Sequence, residues 1–176
     1  MVIEDFILSF SVFSGPKSFY DADDAHIQVS TNADVDDILG TTSNFHFNRG
    51  ETNFFAQHGP AAFSFWSRSF ILTDEEADRL NHNHDLALEL LFEKLKAFVD
   101  SHHITFEKME DLQEQFDCRF EILFIAPNWY GGGMLFRVKP ADLLFMANLN
   151  IPFHFWERDR VQIGQLQEAV RSFTEN

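Results

Sequence analysis

The chain has 176 residues, 22 of them phenylalanine and one cysteine, and carries a net charge of −15. That length suits one domain with its own core, a single thiol excludes an intrachain disulfide, and no apolar run reaches the length of a membrane span. A field this negative opposes nucleic acid, whose phosphates need Lys and Arg, and favours a basic partner.

The charge is uneven. Residues 1–117 hold 22 acidic and 7 basic side chains, whereas residues 118–176 hold six of each. Glu4 and Asp5 stand where a secretory leader would carry bases, so the N-terminal run reads as a first strand. With one thiol and no export signal, the expected setting is the cytoplasm. Phenylalanine is the expected core filler, and the core should be thick with ring contacts.

From Phe6 to Phe13 apolar residues alternate, with Phe6, Leu8, Phe10 and Val12 on one face and Ile7, Ser9, Ser11 and Phe13 on the other, the period of a strand. Gly15 and Pro16 end it. The acidic stretch with Asp21, Asp23 and Asp24 reads as loop. A short helix is predicted over 33–39, capped by Thr31, Asn32 or Asp34 and closed by Gly40. Asn44 to Phe47 reads as a short strand and Phe63 to Ile71 as a longer one, with Phe63 and Phe65 opposed to Ser64, Trp66, Arg68 and Phe70. Thr73 to His84 reads as a polar, acidic link. Asp85 to His102 is the clearest helix, with Leu88, Leu91, Phe92, Leu95, Phe98 and Val99 on one stripe. Thr105 caps a second helix whose inward residues are Met109, Leu112 and Phe116.

Cys118 to Trp156 organises the rest. Arg119 to Ile125 reads as a strand buried on both faces and stopped by Pro127. Gly131, Gly132 and Gly133 permit a tight reversal, from which Met134, Phe136 and Val138 are expected to return as a strand. Pro140 suits a helix first turn, with Leu143, Leu144, Met146 and Ala147 as its apolar side and Asn150 at its left-handed end. Phe153 and Phe155 then alternate with His154 and Trp156 in a last strand. Val161 to Phe173 reads as a helix with Val161, Gln165, Ala169 and Phe173 on one line and Leu166 and Val170 beside it. Phe120, Phe124, Phe136, Leu144, Leu91, Leu95 and Phe98 are expected to be buried together.

Strand, Gly132-Gly133 hairpin, a helix carrying Leu143, Met146, Ala147, Leu149, Asn150 and Ile151, and a final strand resemble the DUF4279 family, small bacterial domains of uncharacterised function. Leu39-Gly40, the Arg49-Gly50-Glu51 corner, and Trp66 with Ser67 or Ser69 also match its pattern. Asn150 stands where the family has glycine, and the link at 73–84 is longer than the family's. The resemblance covers roughly Asp5 to Trp156. It implies one domain over 1–156 with a helical tail over 157–176, and it brings no known activity. The element order predicts an α+β domain with a largely antiparallel sheet of five or six strands. Helices 85–102 and 140–149 should lie on one face, in a ferredoxin-like arrangement or an elaboration of it.

No nucleophile elbow, phosphate loop or zinc-protease motif is present, so no residue is assigned to catalysis and no cofactor is expected. His82, His84, His102 and His103 lack the fixed spacing of a metal set. The two Asp runs lack the glycine and glutamate of a calcium loop. Cys118 opens a buried strand with no basic activator and reads as an inert thiol. The charge split favours a non-catalytic binding protein whose partner is a basic protein such as a toxin, as immunity proteins and inhibitors of toxic nucleases are. Its contact residues would be Asp21, Asp23, Asp24, Asp34, Asp36 and Asp37, with Asp74, Glu75, Glu76 and Asp78 as a second group and Trp129 and Tyr130 as aromatic anchors. The alternative is a small-ligand or enzymatic domain with a pocket lined by Trp66, Trp129, Tyr130 and Trp156. A homodimer through an edge strand is a third arrangement.

Overall fold

The computed structural model describes residues 3–15, 28–52, 59–127 and 136–173. A short 3₁₀ turn at Ile3–Asp5 leads into β1 (Ile7–Ser14), followed by α1 (Asn32–Leu39), β2 (Phe45–Phe47) and β3 (Ser64–Ile71). Three helices come next, α2 (Asp74–Leu80), α3 (His84–Ser101) and α4 (Phe106–Gln115), then β4 (Cys118–Pro127), α5 (Pro140–Asn148), β5 (Phe153–Arg158) and α6 (Arg160–Ser172).

The five strands form one sheet in the order β2-β3-β1-β4-β5. β1 lies antiparallel between β3 and β4, β2 is antiparallel to β3, and β5 is parallel to β4. The helical segments between β1 and β2 and between β3 and β4 each join strands separated by one antiparallel neighbour. This is the ferredoxin-like order, and β5 elaborates it at the outer side of β4.

Alternation sorts the side chains onto two faces. The first face carries Phe6, Leu8, Phe10, Val12, Trp66, Phe120, Ile122 and Phe124, closed over by Leu88, Leu91, Leu95 and Phe98 of α3 and by Val35, Leu112 and Met146 of its neighbouring helices. Phe124 sits at its centre with the rings of Phe6 and Phe136 edge-on at 5.1 and 4.9 Å. The second face carries Ile7, Phe13, Phe47, Phe65, Leu123 and Ile125, covered in part by Ile163 and Leu166 of α6. Gln167 donates to the Glu4 carbonyl and Arg160 approaches Asp5 at 3.8 Å, tying α6 to the first turn.

Several expectations are corrected. The link at 73–84 contains α2, started by a capping box in which Thr73 accepts from the Glu76 N–H and the Glu76 carboxylate accepts from the Thr73 N–H. Phe136 to Lys139 form no strand. The Arg137 N–H goes to the Asp85 carboxylate at 3.0 Å, and Phe136 lies over Phe124 and Phe155, so this segment covers the first face instead of extending the sheet. The glycine hairpin itself lies outside the described residues. Leu143 and Leu144 are 52% and 62% exposed, while Asp142 is buried beside Met146. The Lys96 ammonium pairs with Asp142 and lies over the Phe145 ring, which turns α5 so that Asp142, Phe145 and Met146 are the side held in and the two leucines face outward. Val161 is likewise 71% exposed, and α6 buries Ile163, Leu166 and Gln167 instead. Pro127 remains within β4, opposite Arg158 of β5 and beyond the last partner from β1, where no donor is needed.

Candidate functional site

Strand register brings four serines together in the middle of the second face. Ser9 opposes Ser69 and Ser11 opposes Ser67 across β1 and β3. Small residues here, flanked by Phe13 and Phe65 on one side and Ile7 and Ile71 on the other, leave a hollow that α6 does not fill. The result is a cleft of about 870 Å³.

Its walls are aromatic. Phe13 lies 4.9 Å from Phe65 and 5.7 Å from Trp156, and Phe47 lies 5.6 Å from Phe63. The remaining wall is the segment Gly59 to Ala62, held by the turn at Asn48 to Glu51. The Gly50 N–H donates to the Ala61 carbonyl at 2.8 Å, and the Ala61 N–H donates to the Glu51 carbonyl at 2.9 Å. Gly50 has φ +87°, a conformation that strains any side chain. The basic-glycine-acid corner thus positions one wall. Hydrogen bonds from Asn48 hold the Glu51 carboxyl below the usual range.

Ser9, Ser67 and Ser69 form the floor. Ser9 and Ser69 hydroxyls are 2.6 Å apart, those of Ser67 and Ser69 3.2 Å apart, and Ser67 donates to the Phe45 carbonyl at 3.3 Å. Beyond the floor, Ser69 is fixed by Asn44, whose side-chain carbonyl accepts from the Ser69 N–H and whose amide donates to the Ser69 carbonyl, both at 2.8 Å. The rim carries Arg119, Arg158 and Asp159. The Arg119 guanidinium lies 4.8 Å over Phe13 and donates to Glu121 at 2.8 Å, while Arg158 lies 4.4 Å over Trp156. Burial, opposed by the Asp159 charge, pulls the Arg158 guanidinium below its usual value. Buried Glu121 also pairs with Nδ1 of His154 at 2.8 Å, so its two oxygens are satisfied by two cations or donors. Among the described residues, the floor hydroxyls bond one another and a carbonyl, without the imidazole or carboxylate partner that activates a serine nucleophile. Their arrangement suits binding.

Most of the described residues expected to carry function fall elsewhere. Trp66 points to the first face, fully buried, and its indole N–H donates to Asp36 at 2.7 Å. Trp156 lines the cleft. Asp34 is spent on the Thr31 cap, accepting from its N–H at 2.6 Å and its hydroxyl at 2.7 Å, while Asp37 is exposed. On α2, Asp74, Glu75 and Asp78 are exposed, and Glu76 takes the Lys94 ammonium at 2.6 Å. Burial pushes the Glu76 carboxyl up, but the bonds from Lys94 and Thr73 outweigh it and leave the group below its usual value. Asp21, Asp23, Asp24, Trp129 and Tyr130 lie outside the described residues. His84 and His102 stand at opposite ends of the 18-residue α3, roughly 27 Å apart at 1.5 Å per residue, and share no site. Burial and the adjacent Asp117 carboxylate push the Cys118 thiol up to about 12.

The serine floor was missed. Its signal is the repeated Ser-x-Ser of β1 and β3, which gains meaning only when the two strands are placed side by side. In comparisons with known proteins the chain matches no family model, no curated protein and no solved structure.

Proposed function

We propose that this chain is a small-ligand-binding domain whose site is the cleft between the second face of the sheet and α6. The observation that carries this reading is one concave space of about 870 Å³ with aromatic walls and a hydroxyl floor. That volume is in the range of pockets that enclose small organic molecules, and a few convergent polar groups in an apolar lining are how such pockets fix orientation. A fragment library screened by NMR should give hits that shift Phe13, Phe65 and Trp156 and disappear in Ser69→Phe, which fills the hollow. Hits confined to other surfaces, or retained in the filled variant, would overturn it.

A second reading keeps a basic protein partner, and the exposed Asp37, Asp74, Glu75 and Asp78 favour it. An interface built on exposed charge associates faster at low salt and is screened as salt rises. Reversal of Asp74, Glu75 and Asp78 to lysine should slow association with a basic protein captured by the native chain. An unchanged on-rate at low salt, in a variant that still folds, would remove α2 from the interface.

A further inference from the structure

The floor of the cleft has a polarity. A carbonyl can only accept, so the Ser67 proton is committed to Phe45. Ser67 must then accept from Ser69, 3.2 Å away, and Ser69, its proton spent, must accept from Ser9 at 2.6 Å. The three protons run in one direction, and each bond polarises the next. Ser9, at the head of the relay and itself buried, has no proton left to offer into the cleft, only lone pairs on its oxygen.

We infer that the ligand is an apolar, ring-bearing molecule that presents an N–H or O–H donor to Ser9, with its ring against Phe13, Phe65 and Trp156. This rests on the cleft being a ligand site and specifies what enters it. Rings stack or meet edge-on with the aromatic walls. A buried acceptor left without a donor is costly, so the floor rejects ligands of the same shape that bring only lone pairs.

Indole and benzofuran test this, being near-isosteric and differing in whether the five-membered ring carries N–H or O. In an NMR titration of the full chain, both should shift Phe13, Phe65 and Trp156, with indole bound about tenfold more tightly, the ratio that one well-made buried hydrogen bond supports. Ser9→Ala should bring the two affinities together. Ser69→Ala, which leaves Ser9 in place but releases its proton to turn toward the ligand, should shrink the ratio as well and serves if the first variant does not fold. Benzofuran binding in the cleft as tightly as indole would overturn the donor assignment and leave the ligand site standing. Failure of both to shift cleft resonances at millimolar concentration would overturn the two together.

Discussion

Phe124 is enclosed by rings from three separate parts of the chain, Phe6, Phe136 and Phe155. Phe124→Ala should cost about 3–5 kcal/mol in a urea melt, because the cavity cannot close around so many fixed rings. Cys118 gives a prediction in the alkaline range. Its ordinary value is 9.0 and the folded thiol sits at about 12, so the native chain keeps a proton that the unfolded chain has lost. The corresponding stability is whole below about pH 9 and drains away as pH rises toward 12. Melts at pH 7 and 10.5 should show a larger loss for the native chain than for Cys118→Ala, and alkylation of the folded thiol should be slow at pH 8. At this scale the sequence was informative where one residue sets its own geometry. Thr31 and Thr105 accept from the third residue beyond them, and Asn150 takes the left-handed φ of 53°. It was silent on Trp66 and Asp36, thirty positions apart, because only the packing of α1 on β3 makes them partners.

Helix α5 separates periodicity from environment. Its apolar residues are spaced as if Leu143 and Leu144 were core, yet the Lys96–Asp142 pair sets a different rotation. Leu144→Ser should leave stability within about 0.5 kcal/mol, whereas Met146→Ala, on the packed side, should cost about 2–5 kcal/mol. The order of those two melting shifts checks the rotation directly. Helix α2 lay hidden because its residues are almost all polar, and its only start signal is Thr73 with Glu76 three residues on. Thr73→Ala should lower stability by about 1 kcal/mol, read from the urea midpoint. The facing of side chains was more legible in strands than in helices, since alternation of Phe with Ser states which face is which. What alternation does not state is the partner. The last strand was visible as Phe153 to Trp156, but its parallel alignment with β4 depends on α5 crossing between them.

At the scale of the molecule, the two faces of the sheet differ in kind. The first is packed with rings and aliphatic chains under α3, while the second is divided between a small core beneath α6 and the serine-floored cleft. The fold class and the sorting of β1, β3 and β4 onto two faces were legible, because each strand's own pattern carries them. The cleft was not, because it is a property of register between strands. Central β1 has both its partners far along the chain, a topology whose loops must close before pairing rewards them. Refolding should accordingly take milliseconds to seconds in a stopped-flow experiment, and microsecond refolding would contradict the strand order. The same topology bears on synthesis. Ser14 and Asp117, joined across the sheet, are 103 residues apart, roughly 5–20 s of elongation at about 5–20 residues per second. Through that interval β1 waits without its β4 partner, and an apolar strand left waiting is a template for wrong pairing. Ser9 and Ser11 interrupt its run of Ile, Leu, Phe and Val, which lowers the apolar, strand-forming character of the waiting segment. Replacing both with valine should narrow the hollow at Ser9 and raise the aggregated fraction in cell-free translation, an outcome that would tie the shape of the cleft to the solubility of the growing chain.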